Sequence, residues 1–393
     1  MNRTGTGGDI INFPAHKRKD AVSTRREIDH ILLACTIILV IIGLVMVLSA
    51  SYYSAMHSGN IYSYFWMQAF GAALGLLAIF AITNFLNYRL ISRFAWGFYI
   101  ITNILLVLTL FFGREVNGAI RWLDIPGTGF GFQPSEFAKV AVILLLAVYL
   151  SEKISRANTF RGLLGYAAIA ALPIVLVMMG RNLSTVIIIA AIAFIMLFLA
   201  SPYFWRFIIV GATGIAAVVG LLWADLRWGI LGGFRGQRFA TWQDPFLDPQ
   251  GTGFQSIQSL FAVASGGLFG RGLGNSMQKM YYLPESQNDF IFAIIIEELG
   301  LFGGGIILML FGIIVWRGMR AAMNARDTLS MLIAAGITTM IAVQVIINVG
   351  VVTNTIPNTG IPLPFISYGG TSIAVMMAAV GILLNITRYP KES

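Results

Sequence analysis

The stretch Leu283-Pro284-Glu285-Ser286-Gln287-Asn288-Asp289-Phe290-Ile291-Phe292 closes the longest polar interval of an otherwise apolar chain. It opens directly into an apolar segment that carries Glu297-Glu298-Leu299-Gly300. At a rise of about 1.5 Å per residue, Glu297 lies about 12 Å deeper than Asp289. An acid at the mouth of a membrane helix, and two more farther in, are costly where water is scarce, and such residues mark function. Asp289 is therefore the leading catalytic candidate. Its local alternative is a helix N-cap. Glu297 and Glu298 must face the bundle, protonated or paired, and a purely structural role suits them equally.

The rest of the chain supports a membrane setting. Of its 393 residues, 57% are hydrophobic and only 11% charged, whereas soluble domains carry about 25% charged residues. Apolar segments fall near 31–50, 65–85, 94–112, 136–150, 162–179, 183–200, 206–223, 289–315, 330–350 and 367–386. Most have roughly the 17–25 residues that cross a bilayer as a helix. The expected fold is an all-α polytopic membrane protein of about ten transmembrane helices.

An even number of spans puts both termini on one side. Residues 1–30 form a polar tail with Lys17-Arg18-Lys19 and Arg25-Arg26, and alternate short loops are also basic. The positive-inside bias makes this side, and both termini, cytoplasmic. The net charge of +9 thus sets topology and does not point to nucleic acid. The single cysteine, Cys35, lies in the first apolar run and reads as a packed core thiol.

The domain reading is a tail at 1–30, a ten-helix membrane domain at 31–387 and a short C-terminal end at 388–393. Two segments stand on the non-cytoplasmic face, 113–135 and the large loop 224–288 between the seventh and eighth spans. A loop this long is usually functional or disordered, and its interleaved glycines and aromatics favour order. Within it, 254–264 is patterned as an amphipathic interfacial helix.

Further chemistry gathers at the same face. Glu136 and Lys139 are three apart, hence on one helix face, behind Pro134-Ser135, where Ser135 is suited to cap. An ammonium one turn into a membrane helix needs a partner: Glu136, Asp289 or an anionic substrate. Arg121-Trp122 reads either as a substrate contact or as an interfacial anchor. Gly360-Ile361-Pro362-Leu363-Pro364-Phe365-Ile366-Ser367-Tyr368-Gly369-Gly370 interrupts the outer end of the last span. Irregular backbone at that depth is tolerated only beside protein or a water-filled cavity. No His/Cys cluster offers metal-ligand spacing, and Gly266–Gly274 lacks the Lys-Ser/Thr of a phosphate-binding loop. No cofactor is evident, and a divalent cation, Mg or Mn, stays open.

Three of these segments together resemble the SEDS family (shape, elongation, division and sporulation proteins). They are Arg121-Trp122-Leu123 with Gln133-Pro134-Ser135-Glu136-Phe137-Ala138-Lys139; Leu283-Pro284-Glu285 through Gly300; and Gly360 through Gly370. The basic tail and the Phe365-Ile366-Ser367-Tyr368-Gly369-Gly370 wording lean toward the division branch, FtsW, with the elongation and sporulation branches close. The chain departs from the family at Gly180-Arg181-Asn182-Leu183-Ser184-Thr185, where an acid is usual and Arg181 stands nearby instead.

The resemblance implies polymerisation of lipid II into β-1,4 glycan at the outer face of the bacterial cytoplasmic membrane. It implies a class B penicillin-binding protein as partner, with other divisome proteins, the nascent glycan and membrane lipids around it. An α-linked pyrophosphate donor giving a β product requires inversion, with a base on the acceptor hydroxyl and positive charge on the leaving group. Asp289 is the expected base. Lys139, oriented by Glu136, and Arg238 are expected to hold the pyrophosphate. Arg121, Trp122, Gln258, Ser259, Glu285, Ser367, Tyr368, Gly369 and Gly370 are expected to line the substrate groove. A flippase for the same lipid is the alternative from another class, and it would want ionisable groups at midplane. A non-catalytic scaffold is a second alternative.

Overall fold

The computed structural model describes residues 27–389 except 58–59, 117, 125–126, 128–130, 229–240, 252 and 281. Most of the basic tail, the 390–393 end and Arg238 lie outside the described residues. The helices run α1 His30–His57, α2 Ser63–Phe85, α3 Tyr88–Arg93, α4 Ala95–Phe112, α5 Pro134–Glu152, α6 Phe160–Met179, α7 Leu183–Ala200 and α8 Phe204–Trp228. Then follow α9 Phe254–Gly266, α10 Ile291–Met323, α11 Thr328–Val352 and α12 Gly370–Thr387. Among the described residues nine of these are long and apolar enough to cross a membrane, and α8, at 25 residues, matches the remaining apolar run.

The packing follows the solvent. Aromatic and aliphatic side chains such as Leu77, Phe80, Trp96, Phe111 and Leu172 stand exposed on α2, α4 and α6, as lipid-facing surfaces require. The centre is α5, α11 and α12, buried along 78%, 72% and 72% of their spanning windows. At one end Asp29 bonds Arg317 at 2.6 Å and its N–H reaches Thr387 Oγ1, so the start of α1 meets the end of α12.

Segment 113–135 carries short strands before α5 begins at Pro134. Arg114–Val116 (β1), Ala119–Asp124 (β2) and Gly131–Phe132 (β3) pair antiparallel in the order β1-β2-β3, a small sheet that a helical periodicity search overlooks. Helix α9 is present, somewhat longer than its apolar pattern. Ser256, Ile257, Ser259 and Ala262 are buried, and Ser259 Oγ donates to Val352 O at 2.8 Å.

The apolar run expected at 289–315 is not one regular span. Helix α10 begins at Ile291 and breaks at Gly300, whose φ of 74° and ψ of 178° are non-helical. Loop residues 267–272 repair the break. Arg271 and Gly272 N–H donate to Glu297 and Glu298 O, both at 2.9 Å. Leu301 and Phe302 N–H donate to Gly267 and Leu268 O, both at 3.0 Å. A Cβ on Gly300 or Gly270 would strike this crossing backbone.

The two glutamates complete the joint. Glu297 accepts from Ser276 Oγ, Met277 N–H and Arg271 Nη1, at 2.5, 2.9 and 3.3 Å. Glu298 accepts from Lys279 Nζ at 2.7 Å, Ser49 Oγ at 2.7 Å and Gly274 N–H at 3.0 Å. Both acids are fully buried and fully paired, but against the loop and α1 and not in the midst of the spans. Gly300→Ala should therefore cost more than the ~1–3 kcal/mol of a strained backbone alone, because a clash adds to it. Gly305→Ala and Gly312→Ala, helical with open space at Cβ, should be neutral or stabilising. Thermal unfolding of the three purified proteins in detergent checks the contrast.

Candidate active site

Asp289 lies at the end of the bundle opposite the Asp29–Thr387 junction. It does not cap α10: the cap position is Phe290, with no side-chain bond. The loop before it is built tightly. Glu285 holds a left-handed φ of 55°, its carbonyl accepts from Asn288 N–H at 2.9 Å, and its carboxylate takes Asn288 Nδ2. Such strain is kept where surrounding structure fixes it, commonly at functional sites.

The 359–369 segment is bonded to this loop. Tyr368 N–H donates to Gln287 O at 2.9 Å, and Ser367 Oγ donates to Asn288 O at 2.7 Å. Gly360 lies so close to Asp289 that a Cβ there would sit 3.0 Å from Oδ2. Thr359 O in turn accepts from Ser184 Oγ at the start of α7. The departure at 180–185 is thereby placed. Asn182 caps α7 by accepting from Thr185 N–H at 3.3 Å, and Gly180 O accepts from Ile120 N–H in β2 at 3.0 Å. Arg121, Ser135, Gly180 and Asn182 line a void of about 20 Å³.

The carboxylate of Asp289, a part-buried residue, sits in a crowded recess. Among the described residues it accepts no hydrogen bond. Crowding pushes its pKa up from 3.8 to about 6; the Arg121 guanidinium opposes the rise and the Glu285 carboxylate adds to it. Ion–ion attraction is strong wherever water is thin. Arg121, and not Lys139, is the cation whose field reaches Asp289.

Lys139 is placed elsewhere than expected. It is 1% exposed, and its three N–H groups go to Glu136 Oε1 and Oε2 at 2.9 and 2.8 Å and Gln344 Oε1 at 3.3 Å. Glu136 also accepts from Ser372 Oγ at 3.0 Å. The pair locks α5 to α11 and α12 and leaves no donor for a ligand in this conformation. Ser135 is no cap either: Gln133 holds that position without a side-chain bond, and Ser135 Oγ accepts from Gln133 Nε2.

The other expected groove residues divide. Trp122, on β2 opposite Arg114, and Tyr368, edge-on to Tyr64 at 4.8 Å, are part-exposed. Gln258 borders a separate cleft of about 590 Å³ with Phe261, Arg271 and Tyr282. Ser259 is sealed against Val352. Ser367, Gly369 and Gly370 build the loop: Gly369 N–H donates to Gln68 Oε1 at 2.9 Å, and Gly370 packs on Met67 and Gly71. Hydroxyls and glycines flanked by prolines look like ligand contacts in a sequence, yet here they satisfy backbone groups of an irregular segment.

Two residues escaped the sequence reading. Gln344 and Asn348 are buried amides one turn apart on α11, and Asn348 Nδ2 donates to Asp289 O at 2.8 Å and Ile361 O at 2.7 Å. Their signal was a pair of amides, i and i+4, in an otherwise apolar span. Among the described residues no three of His, Cys, Asp and Glu lie together as metal ligands would.

Comparisons with known proteins agree with this geometry. The family model described as cell cycle protein, which spans FtsW, RodA and SpoVE, matches residues 29–392. Stage V sporulation protein E of Bacillus subtilis is 42% identical over 367 residues, covering 92% of this chain and 98% of the relative. A probable peptidoglycan glycosyltransferase FtsW of Trichlorobacter lovleyi is 37% identical over 364 residues, covering 92% and 93%. Among solved structures, a chain from a peptidoglycan synthase complex that coordinates polymerisation and crosslinking superposes with a TM-score of 0.75 at 25% identity, covering 92% and 98%. The rod shape determining protein RodA of Thermus thermophilus does so at 0.66 and 25%, covering 92% and 97%. With the family model matched along almost the whole chain and the irregular 359–369 segment folded around Asp289, this chain belongs to the FtsW/RodA/SpoVE family of polytopic SEDS membrane proteins.

Proposed function

We propose that the chain is a peptidoglycan glycosyltransferase that polymerises lipid II into β-1,4 glycan at the outer face of the bacterial cytoplasmic membrane. The observation that carries this reading is the Asp289 carboxylate, crowded, accepting no hydrogen bond among the described residues, and within the field of the Arg121 charge. In one displacement the acceptor 4-hydroxyl attacks the donor C1 and its proton passes to Asp289. The C1–O bond to undecaprenyl pyrophosphate breaks with inversion, and Arg121 stabilises the departing charge. Trp122 and Tyr368 border the sugar path. A pKa near the working pH is what general-base chemistry favours. Glu136 and Lys139 act as the buried strut of this site.

We assign both termini to the cytoplasm on the basic-loop bias, and a class B penicillin-binding protein as partner on the family's pattern. Septal synthesis in division and synthesis in sporulation both suit the relatives; the basic tail favours division. Against a flippase, Glu297 and Glu298, the acids that would suit a transport path, are committed to the loop and α1.

The test is synthesis of glycan from lipid II by purified protein, with and without the transpeptidase partner, read by gel. Wild type should give long glycan and Asp289→Asn none. An acid whose folded pKa lies above its unfolded value stabilises the fold fully only below about pH 4, and that contribution is lost as pH rises through about 6. Ionised Asp289 thus costs up to about 3 kcal/mol at neutral pH. Asp289→Asn should keep or raise the Tm at pH 7.5, and the wild-type rate should rise with pH through about 6. A lowered Tm would mean that Asp289 holds the fold together.

Lys139→Ala strands a buried carboxylate, a change that typically costs ~3–5 kcal/mol. The paired change Glu136→Gln with Lys139→Met should recover most of the Tm. Recovery of glycan synthesis along with it would show that the pair is a strut; a folded but inactive double variant would return Lys139 to the chemistry.

A further inference from the structure

Three successive carbonyls at the end of the catalytic loop are each held by a donor from another segment. Gln287 O takes Tyr368 N–H at 2.9 Å, Asn288 O takes Ser367 Oγ at 2.7 Å, and Asp289 O takes Asn348 Nδ2 at 2.8 Å. The third differs from the others. Tyr368 and Ser367 belong to the same irregular segment as Gly360, whereas Asn348 stands on α11, a regular helix buried along most of its span. Asn348 is 0% exposed, and its second N–H goes to Ile361 O at 2.7 Å. Its Oδ1 accepts nothing from the described residues, so the side chain is used for its two donors.

We infer that Asn348 is the positioning residue of the site: its amide fixes Asp289 and the Gly360–Ile361 backbone at one spacing and so aims an otherwise unbonded carboxylate. This rests on the reading of Asp289 as the base. The physical need is plain. Nothing among the described residues bonds the Asp289 carboxylate oxygens, so their direction depends on the backbone that bears them and on the wall at Gly360. One rigid amide tied to both sets the two together. Small misplacements of a reacting group are costly, about 10²-fold for 1 Å. Substrate contacts are not made by Asn348, so binding should survive its loss.

The test compares wild type, Asn348→Ala and Asp289→Asn in glycan synthesis from lipid II, with kcat and KM measured across pH and folded fraction taken from thermal unfolding. Per folded molecule, Asn348→Ala should lose roughly 10- to 100-fold in kcat with KM changed less than about threefold. Its acidic limb should also move below pH 6 as Asp289 relaxes toward water, away from Glu285 and its recess, with Arg121 still opposite. A purely structural amide would lower Tm and leave kcat per folded molecule and the limb in place. Asn348→Gln keeps both donors but sets them one methylene farther on, and it serves where alanine gives no folded protein; it too should lose kcat. Wild-type kcat in either folded variant overturns the inference. Wild type that makes no glycan while Asp289→Asn behaves identically overturns the polymerase reading, and the inference with it.

Discussion

Four backbone hydrogen bonds across the interruption of α10 hold this structure in its working form. A helix that stops inside a membrane protein leaves N–H and C=O groups that lipid cannot satisfy, each at a cost of several kcal/mol. Here the 267–272 backbone enters the gap and takes up two carbonyls and two amides. The glycines are the condition for that approach, since any side chain at Gly270 or Gly300 would part the two strands of backbone. Once the joint is made, the short helix from Ile291 to Leu299 becomes a fixed piece with Asp289 at its free end.

Two kinds of buried charge then divide the labour. Glu136 with Lys139, and Glu298 with Lys279, are closed pairs at 2.8 and 2.7 Å, each further bonded by neutral partners. Buried pairs of this sort add little net stability over apolar packing, but losing one partner is severe. They act as locks between segments. Asp289 is the opposite case. It is crowded, feels the charge of Arg121, and among the described residues its carboxylate accepts no hydrogen bond. A group left in that state at a stability cost suits the role of base proposed for it.

Much of this was legible beforehand, for reasons that differ by residue. The spans follow from composition because lipid demands long apolar runs. Asp289 stood out because an acid follows a proline-bearing polar loop and precedes an apolar run. Spacing showed that Glu136 and Lys139 share a face, but not that Gln344 and Ser372 close around them, since those partners lie over 200 residues away. The break in α10 was invisible because Gly300 is followed by Gly303, Gly304 and Gly305, and no local pattern says which glycine leaves the helix. The sheet at 114–132 was missed because strands of two to six residues carry too little periodicity. Asn348 hid for the reverse reason: it lies in a strong helical run, where an amide reads as incidental.

The repaired break also orders the events of assembly. From Leu301 to Trp316 the chain carries no charged residue, so this part of α10 can enter the bilayer as an ordinary span. The stretch before it cannot, because Glu297 and Glu298 have no counter-charges until Arg271 and Lys279 arrive from the loop. Those two cations precede the glutamates in the chain and so are already made when the acids emerge. Burial of the Ile291–Leu299 part of α10 is thus tied to closure of the loop upon it. Asp289, at the tip of that part, depends on the closed loop for its place.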